Sequence, residues 1–108
     1  MAYKYRWLEP ALDDLSQEIR YVLSEFGLTA ARKAEANIRE GVERLCSFPN
    51  IGVRYEGLTY NGCEVRLLHI RQISIVYCLQ DDSLTLISVW NNHRNEKYIN
   101  AMIQSRQG

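Results

Sequence analysis

Apolar and polar positions along the chain change period several times, and each change marks an element. Tyr3, Tyr5 and Trp7 alternate with Lys4, Arg6 and Leu8, a period of two that predicts a first strand. Glu9-Pro10 ends it, and proline fits a first helical turn because its missing N–H is not needed there. Asp13 and Asp14 then place negative charge near the positive end of the helix dipole. Leu12, Leu15, Ile19, Val22, Leu23 and Phe26 recur at helical spacing, which predicts a helix over 11–25 with one apolar face. Gly27 is placed to stop it in a left-handed C-terminal cap, and Thr29 to cap the next helix. Ala31, Ala34, Ile38, Val42, Leu45 and Phe48 form that second stripe. Gly41 inside it costs about 1 kcal/mol relative to alanine, and close packing of helix on helix is the expected reason for it. So short a link predicts an antiparallel αα-hairpin.

Phe48-Pro49-Asn50-Ile51-Gly52 breaks the second helix. Val53 to Tyr60 reads as a weak strand interrupted by Gly57, and Asn61-Gly62 is a strong hairpin signal. Three apolar runs follow, over 65–70, 73–79 and 84–90, each rich in β-branched and aromatic residues and short enough for a strand. Asp81-Asp82-Ser83 is a turn by composition. Short turns between long strands predict antiparallel pairing. In the first run Glu64, Arg66, Leu68 and Ile70 share one face, and Val65, Leu67 and His69 share the other. One face is expected to pack on the helix pair and the other to form a partly exposed concave surface. Asn91-Asn92 is turn-like, and Asn95 is placed to cap a short helix over 96–103. The expected class is α+β: one domain over 1–108, an antiparallel sheet of about four strands on an N-terminal αα-hairpin, and a short C-terminal helix.

The chain has 108 residues, long enough for a real core, and 46% hydrophobic content agrees with a folded protein. Thirteen basic and thirteen acidic side chains give a formal net charge of zero, which argues against a protein that coats nucleic acid non-specifically. Yet 65–80 contains no acidic residue while holding Arg66, His69 and Arg71, so a sheet carrying unpaired cations is expected to meet an anion or an acidic partner. Cys46, Cys63 and Cys78 lack metal-ligand spacing and read as reduced, buried thiols of a cytoplasmic protein. The N-terminal MAYKYRWLEP lacks the apolar run of a signal peptide, and no window approaches the roughly 20 apolar residues of a membrane span. No metal, cofactor or membrane role is expected.

WLEPALDDLSQEIRYV at the front, RLCSFPNIG in the middle and VRLLHIRQISIVYCLQDDSLTLISVWNNHRNEKY at the end, in that order, resemble the RelE/ParE toxins of bacterial type II toxin–antitoxin (plasmid stabilisation) modules. The resemblance spans nearly the whole chain and implies their shared fold. It also implies two chemistries: RelE-like members cleave mRNA in the ribosomal A site, and ParE-like members inhibit DNA gyrase. A metal-independent ribonuclease needs a base for the 2′-hydroxyl, a cation for the phosphorane and an acid for the leaving oxygen. The RelE pattern places an arginine three residues before the strand tyrosine, and here Ser74 precedes Tyr77 at that spacing. A second arginine follows the last strand, where Asn92 stands. The C-terminal tyrosine is matched by Tyr98, and Arg94 resembles the basic residue of the ParE-like pattern.

These comparisons favour a ParE-like, gyrase-directed toxin. The alternatives are a RelE-like ribosome-dependent mRNA endonuclease and an inactive antitoxin-binding homologue. The expected catalytic or target-contacting residues are Arg66, Arg71, His93, Arg94 and Tyr98, with Arg54 and Asn92 as accessories. His93 has an unperturbed pKa suited to acid–base work near neutrality. His69 reads as structural, and Trp7 and Trp90 as core or groove-lining. The resemblance implies a cognate antitoxin as partner in a heterotetramer or larger assembly. Its disordered C-terminal segment would fold on the toxin, against the helix pair and a sheet edge.

Overall fold

The computed structural model describes residues 3–92 and 97–107. In chain order the elements are β1 (Lys4–Trp7), α1 (Glu9–Phe26), α2 (Leu28–Ser47), β2 (Val53–Tyr60), β3 (Cys63–Ile70), β4 (Ile73–Gln80), β5 (Ser83–Asn91) and α3 (Lys97–Arg106). The strands form one sheet in the order β1-β5-β4-β3-β2. The α+β class and the element order are as expected, but the sheet has five strands rather than about four. β2 to β5 form an antiparallel meander, whereas β1 pairs parallel to β5, with Tyr5 opposite Leu84 and Trp7 opposite Leu86.

Gly27 alone separates α1 from α2. Its φ of 91° is positive, but its ψ of 177° is extended, so this is not the expected left-handed cap. The same residue caps the start of α2, and Thr29 lies inside that helix without a capping role. A glycine is suited here because an L-side chain is disfavoured at that φ.

The sheet buries both faces. Against the helical hairpin, Leu68, Ile75, Tyr77, Leu84 and Leu86 pack with Ile38, Val42 and Leu45 of α2, flanked by Leu15 and Ile19 of α1. On the other face Val65, Leu67, Val76, Cys78, Ile87 and Trp90 pack with Ile99 and Ile103 of α3 and with Leu58 and Tyr60 of β2. The face expected to form a partly exposed concave surface is covered by α3 through Ile99 and Ile103. Gly41 meets the sheet, not the other helix: a Cβ there would collide with the Ile70 side chain and touch Leu68. Strand-on-helix contact, rather than helix-on-helix contact, is what excludes a side chain at 41.

Two irregularities shape the sheet. The β2–β3 register shifts between Arg54 and Thr59, around Gly57 at φ 78°, which explains the interrupted pattern of that strand. On β5, Val76 pairs with Ser88 while Tyr77 pairs with Leu86, so Ile87 is an extra, bulged residue. Its carbonyl accepts a 2.9 Å hydrogen bond from Arg106 Nη1 of α3, and the adjacent Ser88 hydroxyl donates to Asp14 of α1 at 2.7 Å. A bulge that takes a carbonyl out of the ladder thus becomes the anchor for both terminal helices.

Candidate functional site

Tight turns bring the polar residues of the sheet's second face to one end. Arg71 and Gln72 form the two-residue link between β3 and β4, and Arg71 has φ 57°. Asn92, just past β5, clamps this link: its backbone N–H donates to Gln72 O at 2.8 Å, and its Nδ2 donates to Arg71 O at 3.3 Å. Ser74, opposite both His69 and Trp90 in the ladder, is fully buried. Its Oγ lies 2.6 Å from Asn92 Oδ1 and 2.6 Å from His69 Nδ1. One chain of hydrogen bonds therefore runs from His69 through Ser74 and Asn92 to the Arg71 carbonyl.

His69, Arg71 and Asn92 border a hollow of about 360 Å³ whose apolar wall is Leu67, Trp90 and Ile99. Arg71 also borders a second hollow of about 220 Å³ on the hairpin side, lined by Tyr21, Val22, Phe26, Ile70 and Ile73 among others. Tyr21 and Phe26 meet there edge to face, with ring centroids 6.4 Å apart. Among the described residues, Arg71 is thus the one expected site residue that the structure sets at the border of both hollows.

Arg66 is placed elsewhere. It stands opposite Tyr77 on the hairpin face, where Nη1 donates to Gly52 O at 2.8 Å and to Asn50 O at 3.3 Å. Its Nη2 pairs with Glu64 at 2.9 Å, and Arg54 pairs with the same carboxylate at 3.2 Å. The expectation of an unpaired cation at Arg66 is corrected: Glu64, two positions upstream on the same face, pairs with it, and shares its single carboxylate with Arg54 of β2. Arg66 ties down the loop after α2 in company with Tyr77, whose hydroxyl donates to Pro49 O at 2.7 Å and accepts from Gly52 N–H at 3.0 Å. Burial pushes the Tyr77 hydroxyl above its ordinary pKa, against the opposing pull of the Gly52 N–H and the Arg66 guanidinium.

Tyr98 lies on α3 and is 58% exposed. His93 and Arg94, and the expected cap Asn95, lie outside the described residues. Trp90 is buried in the second core, and Trp7 is partly buried against the first, in keeping with the sequence reading. Sequence reasoning passed over His69 as structural, although it is exposed at the hollow. The signal available for it was its place opposite a strand serine at the position where the related pattern carries arginine. Among the described residues no cluster of three or more His, Cys, Asp or Glu is suited to hold a metal ion.

The model of the ParE toxin of type II toxin–antitoxin systems, parDE, matches residues 5–98. Among curated proteins no sequence matches significantly. The structure of a chromosomal ParDE toxin–antitoxin system from P. aeruginosa is similar at a TM-score of 0.69 and 20% identity, covering 83% of this chain and 96% of that one. A mutant of the E. coli toxin RelE in the free state is similar at a TM-score of 0.56 and 21% identity, covering 96% of this chain and 98% of that one. At such identities these two likenesses speak for the fold.

Proposed function

The chain belongs to the ParE toxin family of type II toxin–antitoxin systems, and from that premise we propose that it arrests growth by inhibiting DNA gyrase and is neutralised by a cognate antitoxin. One observation carries the choice of target. The two positions at which the nuclease pattern asks for arginine hold Ser74 and Asn92, neutral side chains bonded to each other at 2.6 Å. A phosphorane needs cations, and neither residue supplies one. The zero net charge agrees with a protein target rather than bulk nucleic acid.

The antitoxin reading draws on the free surface of the hairpin tip. Tyr21, Phe26 and Leu28 are 53%, 67% and 56% exposed, an apolar group suited to the apolar face of a partner helix. Arg71 at the border of the adjoining hollow suits an acidic residue of that partner. Assembly into a heterotetramer or larger complex, and action in the cytoplasm, belong to the same proposal. Among the described residues no helix is long and apolar enough to cross a membrane.

The test is supercoiling by purified gyrase with and without the full-length protein. Loss of supercoiling that is restored by the antitoxin is expected. Full supercoiling at saturating protein, or induction that halts translation before DNA replication, overturns the gyrase reading.

A further inference from the structure

We infer that Asn61 is a self-modification site: the Gly62 backbone nitrogen displaces its carboxamide nitrogen, and the isoaspartate that follows releases the C-terminal end of α3. The inference goes beyond the gyrase reading and does not rest on it.

The residues of the β2–β3 turn carry the chemistry. Asn61 alone among the asparagines is followed by glycine. A side chain on the next residue hinders approach of that residue's backbone nitrogen, and glycine has none. Asn61 and Gly62 form a two-residue link at φ 47° and 83°, and both are exposed. A Cβ on Gly62 would meet nothing within 4 Å, so the link stands clear of the rest of the chain. The Asn61 backbone N–H donates to Gln107 Oε1 at 3.2 Å, whereas its carboxamide has no hydrogen-bond partner among the described residues.

The ladder decides whether the turn can open. Tyr60 pairs with Cys63 and Thr59 with Glu64, and there the register breaks: Tyr55 to Leu58 of β2 stand against Val65 alone before Arg54 meets Arg66. Two rungs therefore hold the turn apart from the rest of the sheet, and so short a piece opens without unfolding the core. Gln107, just past α3, is the other fastener. Its Oε1 accepts from Asn61 N–H and its Nε2 donates to Thr59 O at 3.0 Å, so one side chain straddles the turn. The coupling is reciprocal: Gln107 limits opening, and a changed turn takes away the seat of Gln107.

In the opened turn the Gly62 nitrogen bonds to Asn61 Cγ, the Cγ–Nδ2 bond breaks, and Nδ2 leaves as ammonia with the proton from Gly62. Water then opens the cyclic imide. Cleavage at the main-chain carbonyl gives isoaspartate, whose chain runs through Cβ and Cγ and leaves a carboxylate behind. The link is then longer by a methylene and carries a negative charge. It no longer presents Thr59 O and the Asn61 N–H together to Gln107. The end of α3 loses this hold, while Arg106 keeps its pair with Asp14.

The test ages the full-length protein in warm, mildly alkaline buffer and follows it by peptide mass mapping and by isoaspartyl methyltransferase labelling. Asn61 is expected to convert at least tenfold faster than the exposed Asn50 and Asn100, with isoaspartate as the larger product. Gln107→Ala should speed conversion at least threefold. The converted protein should show faster amide exchange over 103–107. Asn61→Gly keeps the backbone N–H and tolerates the positive φ but has no carboxamide, so the same ageing should leave its exchange unchanged. Conversion at Asn61 no faster than at Asn50, an unchanged rate in Gln107→Ala, or exchange in the converted protein equal to that of the fresh one overturns it.

Discussion

Arg106 on the last helix grips Asp14 on the first through a two-pronged pair, Nη1 to Oδ2 at 2.6 Å and Nη2 to Oδ1 at 3.1 Å, across 92 residues of sequence. Both side chains are mostly buried, at 17% and 20% exposure. The same carboxylate holds Ser88, and the same guanidinium holds the bulged Ile87 carbonyl. Asp14→Ala leaves these groups without their charged partner. Loss of hydrogen bonds to a charged group of this kind costs about 1.5–3 kcal/mol. The expected result is a lower urea midpoint at unchanged slope, with faster amide exchange over 97–106. An unchanged midpoint would contradict the clamp.

Tyr77→Phe removes a hydroxyl that serves both Pro49 O and Gly52 N–H in a buried place. The stranded groups should lower stability by about 1–3 kcal/mol, read from thermal or urea unfolding. Gly52→Ala should do at least as much harm, since a Cβ at 52 would stand 2.5 Å from the Tyr77 hydroxyl and 2.6 Å from its ring. Gly52→Ala with wild-type stability would show that the loop does not close on the ring as described.

Arg71→Asn separates fold from function. Asparagine tolerates positive φ, so stability should hold or rise by up to about 1 kcal/mol. Growth arrest on induction should weaken at least tenfold, and Arg71→Glu should weaken it without unfolding the protein. Undiminished arrest by a stably folded Arg71→Glu removes Arg71 from the site.

Burial pushes the Cys78 thiol from 9.0 up to about 11, reinforced by Cys63 and opposed by a hydrogen bond with Thr85. Between those values the unfolded thiol ionises while the folded one stays protonated. The unfolded chain then binds fewer protons, so stability is full below pH 9 and is lost as pH rises toward 11. Unfolding free energy measured across that window should fall, and Cys78→Ala should flatten the decline. An equal decline in Cys78→Ala would assign it to other groups.

Local chemistry told most of the architecture from sequence. The β-branched runs over 65–70, 73–79 and 84–90 could be little else than strands, and Leu15, Ile19, Ile38, Val42 and Leu45 of the two helical stripes do pack against the sheet, whereas Leu12, Leu23, Phe26 and Phe48 of the same stripes are exposed. What escaped is long-range. The parallel pairing of Tyr5 with Leu84 has no signature in the period of either strand. Glu64 was in view, but only the register showed that it pairs with Arg54 and Arg66 at once. Ser74 and Asn92 were recognisable as departures from a pattern, whereas their bond to each other and to His69 depends on three strands meeting at one end. A lone histidine on an apolar face reads as core until its neighbours are known.

The parallel ladder between β1 and β5 has a consequence for synthesis. The partner of residues 4–7 is residues 83–91, so the N-terminal strand leaves the ribosome long before its ladder exists. At about 5–20 residues per second the wait is on the order of 4–15 s. An edge strand that waits this long for its partner leaves residues 4–7 without their ladder while α1, α2 and the β2–β4 strands are already being made, so closure of this edge is the late step in completing the sheet.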